Sequence, residues 1–138
     1  MYRFSYRAVL LAVAVLIMVG CANDSITNPT IVSPCPCTDG WSGTLSKNGA
    51  FTHSFNINSL GAVTASLIAL APNSAQIVGL QLGVWNGNSC TAASSIDTAT
   101  SGSTITLNAS SAGTLCVRLY DVGFVTDPVL YQLQIVHP

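Results

Sequence analysis

The chain has 138 residues, 49% hydrophobic and only 7% charged, enough for one domain once any targeting segment is removed. From Cys21 onward, Lys47 and Arg118 stand against Asp24, Asp39, Asp97, Asp121 and Asp127. Two cations against five acids is a formal charge of −3, and there is no Glu. So sparse and net-acidic a charge set excludes a nucleic-acid partner, whose phosphates need several cations to neutralise them.

Residues 1–20 read as an export signal. Arg3 and Arg7 lie in an acid-free start, and Ala8 to Val19 is unbroken apolar sequence. That run falls short of the roughly 20 residues a spanning helix needs, but suits a signal h-region. Met18-Val19-Gly20-Cys21 reads as a lipobox, with Met18 where Leu is commonest. The plain alternative is an ordinary secretory signal with an incidental cysteine. The lipobox reading makes Cys21 the acylated (palmitate-bearing) first residue of the mature chain, and two or more acyl chains anchor stably where one does not. Ala22 in place of Asp, by resemblance to lipoproteins of two-membrane bacteria, implies the outer membrane, with its face left open.

Residues 21–39 contain Pro29, Pro34 and Pro36 and no sustained period, which predicts a semi-extended tether. From residue 40 to 138 the pattern changes to short alternating runs. Trp41 to Ser46 is a strand candidate, with a turn at Lys47-Asn48-Gly49. Phe51, His53, Phe55 and Ile57 share one face of the next run, opposite Thr52, Ser54 and Asn56. Val63, Ala65 and Leu67 alternate up to a break at Pro72-Asn73-Ser74, and Leu80, Leu82 and Val84 alternate up to Asn86-Gly87-Asn88. Residues 91–103 read as a loop or weak edge strand. Ile105 and Leu107, then Leu115, Val117 and Leu119, alternate in turn. Asp121 to Pro128 is a loop, and Val129, Tyr131, Leu133 and Ile135 form the last run. Seven or so one-sided strands and no helical stripe after the signal predict an all-β fold, an antiparallel two-sheet β-sandwich of jelly-roll type.

Four of these strands carry a family resemblance. His53-Ser54-Phe55-Asn56-Ile57, followed by Gly61-Ala62-Val63-Thr64-Ala65-Ser66-Leu67, resembles an aromatic-x-Phe-x-aliphatic strand and its successor in the bacterial pre-peptidase C-terminal domain. Ala112-Gly113-Thr114-Leu115-Cys116-Val117-Arg118-Leu119-Tyr120 is similar to its Gly-Thr-aromatic-x-aliphatic-x-aliphatic-Tyr strand, and Val129-Leu130-Tyr131-Gln132-Leu133-Gln134-Ile135 to its closing Tyr-x-aliphatic-x-aliphatic strand. The likeness covers most of residues 41–138. It departs at His53, where another aromatic is usual, and in lacking the acidic calcium-binding segment of collagen-binding relatives. The resemblance implies a small jelly-roll-like sandwich that acts as a non-catalytic accessory or substrate-binding module, here without a catalytic domain beside it.

Enzyme chemistry has little material. His53 and His137 are the near-neutral bases. His53 is in phase with core residues, and His137, next to the end, is expected to fray. No spacing suggests a nucleophile with base and orienting group, so the chain reads as a non-enzyme that calls for no cofactor. Cys35 and Cys37 could present two thiolates to copper or zinc, a metal-handling alternative weaker than disulfide bonding in an exported chain. Asp121 and Asp127 supply too few oxygens for calcium. A disulfide is expected between Cys90, just past a turn, and Cys116, on the face opposite Leu115, Val117 and Leu119. It leaves Cys35 and Cys37 to each other or free.

Trp85, Arg118 and Tyr120 are out of phase with the core residues of their strands, which places them on an outer face as candidates for binding a carbohydrate or protein ligand. The bland alternative is that they cover that face beneath the tether or the Cys90 loop. The expectation is therefore a lipid-anchored binding or scaffolding module of the cell envelope. Its rivals are a metal-handling protein and a structural or adhesive subunit whose strand edges pair with another chain.

Overall fold

The computed structural model describes residues 36–138. The signal segment, Cys21, Cys35 and most of the tether lie outside the described residues. Eight strands follow in order: β1 (Cys37–Leu45), β2 (Ala50–Ile57), β3 (Gly61–Ala71), β4 (Val78–Trp85), β5 (Cys90–Ala99), β6 (Thr104–Ala109), β7 (Gly113–Tyr120) and β8 (Val129–His137). The first sheet has the order β1-β8-β3-β6 and the second β2-β7-β4-β5. Every pairing is antiparallel. Two four-stranded sheets with this interleaved order are a jelly roll, as the alternating pattern predicts.

The alternation explains the layering. Side chains of a strand point to opposite faces with period two, so Val63, Ala65 and Leu67 on β3 and Leu133 and Ile135 on β8 all reach the interior. Phe55 and Ile57 from β2, Leu80 and Leu82 from β4, and Leu115, Val117 and Leu119 from β7 meet them from the second sheet. Between-strand polar residues, such as Thr64 opposite Thr106, line the outside.

Three features differ from the sequence pattern, and residues 90–99 take the edge-strand alternative that the pattern leaves open. Cys37, Thr38 and Asp39 are not tether: they pair with His137, Val136 and Ile135. Their partner is supplied by β8 from the far end of the chain, so no local period marks them. His137 is not frayed but buried, its ring 5.4 Å from Phe55 and its Nε2 3.2 Å from the Asp39 carboxylate. Residues 90–99 form a full edge strand, irregularly registered on β4. Val84, in phase with Leu80 and Leu82, is exposed, although its partner Leu115 on β7 is buried.

One loop is organised by a carboxylate. Asp121 Oδ1 accepts the N–H groups of Gly123 (2.7 Å) and Val125 (3.0 Å), and Oδ2 accepts that of Asn48 (2.8 Å). Asn48 is in the left-handed region with φ of 57°, the conformation that the tight β1–β2 turn requires. The β1–β2 turn and the β7–β8 loop are thus tied together at one end of the sandwich.

Candidate functional site

The outer face of the second sheet gathers the residues predicted to face away from the core. Along β7, Cys116, Arg118 and Tyr120 are opposite Gly83, Gln81 and Gly79 of β4, and opposite Ser54, Thr52 and Ala50 of β2. Two of those neighbours are glycine for a reason of close approach. A Cβ on Gly79 would run into the Tyr120 ring, which lies over it. A Cβ on Gly83 would run into the carbonyl of Thr91, because the start of β5 leans over β4.

That lean is what lets Cys90 reach Cys116 across the intervening strand. The two sulfurs are bonded at 2.07 Å, with Cα atoms 5.7 Å apart, as expected from the sequence. Gln81 also reaches over the face, its Nε2 donating to the Cys90 carbonyl at 3.2 Å. The tip of the β4–β5 hairpin is closed by its own polar network, in which Asn86 Oδ1 accepts the N–H groups of Asn88 and Ser89.

Between this hairpin tip and β2 runs a trough of about 330 Å³ lined by Thr52, Trp85, Asn88, Ser89, Cys90 and Arg118. The guanidinium of Arg118 lies over the Tyr120 ring, 5.2 Å from its centroid, a cation–π arrangement. The Tyr120 hydroxyl donates a hydrogen bond to Asp97 Oδ1. Burial, followed by that bond and the charge of Asp97, raises the Tyr120 pKa above its ordinary value, against a smaller opposing effect of Arg118. The phenol is therefore a fixed neutral donor, and Asp97 is its acceptor.

Trp85, Arg118 and Tyr120 are thus brought to one face, with Trp85 and Arg118 in one trough. The hairpin carrying Cys90 forms a wall of that trough, and each of the three side chains is partly buried. Thr52, Asn88, Ser89 and Asp97 were not singled out by pattern. Strand parity marks Thr52, and the Asn-Gly turn marks its neighbours Asn88 and Ser89. Asp97 has no local signal, since it is brought beside Tyr120 by the irregular pairing of β5.

The histidines sit elsewhere. His53 is stacked on Trp41 and lies 3.1 Å from the Tyr131 hydroxyl, where burial lowers its pKa. Its ring neighbours are aromatic, an environment that packs the imidazole at the edge of the core. Cys37 opens β1 on the surface, and its companion Cys35 is outside the described residues. Among the described residues no group of three or more His, Cys, Asp or Glu is placed to hold a metal ion.

No protein-family model matches the chain, and no curated protein sequence does. Solved structures do. The Yersinia pseudotuberculosis-derived mitogen (YPM) superposes with a TM-score of 0.57 at 14% identity, over 75% of this chain and 88% of that one. PliG of Aeromonas hydrophila, a periplasmic lysozyme inhibitor of g-type lysozyme, superposes with a TM-score of 0.55 at 8% identity, over 73% and 86%. At these identities what is shared is the fold.

Proposed function

We infer that the protein is a non-catalytic binding module of the bacterial cell envelope, held by lipid on Cys21, and that it meets its ligand on the outer face of the second sheet. The observation that carries this is the trough itself. A tryptophan, an arginine and neutral hydrogen-bonding groups converge on a solvent-open surface that a disulfide holds in place. Preorganised aromatic and arginine side chains are what recognition surfaces use as anchors. The face lies outside the core, so it is free to serve binding without cost to packing.

The fold supports the same reading. A jelly roll of this kind is found in a mitogen and in a lysozyme inhibitor, proteins named for their effect on other molecules. The resemblance to pre-peptidase C-terminal domains points the same way, towards an accessory module.

The site is tested with immobilised panels of envelope glycans and envelope proteins, probed with the wild type and a Trp85→Ala/Arg118→Ala variant. A ligand held by the wild type and lost by the variant, with unchanged circular dichroism, is the expected result. A ligand held equally by both places the binding surface elsewhere. The anchor is tested by labelled palmitate, which the wild type should incorporate and Cys21→Ser should not.

A further inference from the structure

We propose that the trough beside the Cys90–Cys116 disulfide recognises a saccharide bearing a carboxylate, with Arg118 as the group that pairs with it. This rests on the binding-module reading above and adds the chemical class of the ligand.

Among the described residues Arg118 has no acceptor. It is one of two cations on the exported chain, the other being Lys47 on the exposed β1–β2 turn. Among the described residues its guanidinium makes no ion pair and no hydrogen bond, and it lies against the Tyr120 ring. Asp97, the acid of this face, accepts the Tyr120 hydroxyl instead. The pairing leaves an aromatic ring, rather than a neutralising carboxylate, beneath the guanidinium. A guanidinium offers five N–H donors in a planar fork that matches a carboxylate, and it is held here on a half-buried stem. The fork of an arginine so placed matches one planar anion.

The rest of the lining decides what carries that anion. Trp85 contributes a flat apolar ring, and Thr52, Ser89 and Asn88 contribute two hydroxyls and an amide. One cation, one flat ring and several neutral hydrogen-bonding groups complement a sugar ring with its C–H face, hydroxyls and a single carboxylate. The volume of about 330 Å³ is at the small end of ligand sites. A polyanion is disfavoured by the formal charge of −3 on the exported chain. An extended peptide gains affinity by adding to a sheet edge, whereas this trough lies on a sheet face.

The protein purified in detergent is probed on an array of saccharides containing uronic or ulosonic acids, each beside its carboxyl methyl ester and its neutral parent sugar. Acidic peptides are included as a separate arm. At least one acidic saccharide should bind, and its methyl ester should bind about tenfold or more weakly, the size expected for a charge-assisted pair. Arg118→Ala should lose the same factor, Arg118→Lys should recover part of it, and Trp85→Ala should weaken acid and ester alike. Circular dichroism and an intact Cys90–Cys116 bond check that each variant is folded. Binding of acid and ester with equal strength, or binding indifferent to Arg118→Ala, overturns the proposal. A neutral sugar bound through Trp85 alone overturns it while leaving the site in place. Acidic peptides bound through Arg118 with no saccharide bound overturn it in favour of a protein partner. Binding by none of the arms overturns it as well.

Discussion

Trp41 and His53 stack across the seam between the two sheets, their ring centroids 4.9 Å apart and their planes 13° from parallel. Trp41 stands on the edge strand of one sheet and His53 on the edge strand of the other. The imidazole is also within hydrogen-bond distance of the Tyr131 hydroxyl, so the neutral ring joins three strands.

Burial lowers the His53 pKa below the ordinary 6.5. Folded His53 therefore takes up a proton less readily than unfolded His53, and protonation favours the unfolded chain. Its stabilising contribution is complete above pH ~6.5 and is lost as pH falls through the lowered folded value. The melting temperature should decline between pH 7 and 5 in the wild type and decline less in His53→Gln, which cannot titrate. In a Trp85→Phe background, Trp41 fluorescence should follow the same transition. A wild type and a His53→Gln variant with superimposable pH profiles would contradict this.

Asp121 behaves in the other pH range. Partial burial pushes its pKa up, but the backbone N–H groups of Asn48, Val125, Gly123 and Phe124 together outweigh that and hold it below the usual carboxylate value. Its contribution is present above the ordinary carboxylate pKa of ~3.9 and disappears as pH falls through the depressed one. Asp121→Asn should melt a few degrees lower at neutral pH and differ least from the wild type in strong acid. Calorimetry at pH 7 and pH 2 measures both, and an equal difference at the two pH values would rule out the carboxylate as the cause.

The Cys90–Cys116 bond closes a loop with a sequence separation of 26. In the chain-entropy model a loop of that size stabilises by roughly 3.5 kcal/mol, an upper-end figure. Urea unfolding of Cys90→Ala/Cys116→Ala should show a loss approaching that value. Because the bond also holds the hairpin wall of the trough, ligand affinity should fall in the same variant under conditions where it remains folded.

Two glycines of the second sheet should respond unequally to alanine. At Gly83 the added Cβ meets the Thr91 backbone, which cannot swing aside as a side chain would. Gly83→Ala should cost about 1–3 kcal/mol, as overpacking does, and disturb the disulfide crossing. Gly113 has open space at its Cβ position and no positive φ, so Gly113→Ala should stay within about 0.5 kcal/mol of the wild type. Urea midpoints of the pair decide it.

Strand parity was the legible part, and it reached further than the fold class. It placed Trp85, Arg118 and Tyr120 on the outer face, and it placed Cys116 where Cys90 could meet it. Positions defined by a distant partner were not legible. Cys37 to Asp39 become strand through pairing with Val136, His137 and Ile135, nearly a hundred residues away. His137 is buried by Phe55 and Asp39, neither of which is near it in sequence. Asp97 faces Tyr120 through an irregular stretch of β5 pairing, which no period encodes. The lean of β5 over β4 leaves only a glycine as its trace.

The position of β8 has a consequence for the order in which the chain can assemble. Every strand of the second sheet lies between residues 50 and 120. The first sheet, by contrast, needs β8 as the strip between β1 and β3. Until residues 129–137 arrive, β1 has no hydrogen-bonding neighbour in its sheet, and β3 and β6 form a separate pair. A chain delivered N-terminus first can therefore complete the sheet that bears the trough, and close its disulfide, while the other sheet is still in two pieces.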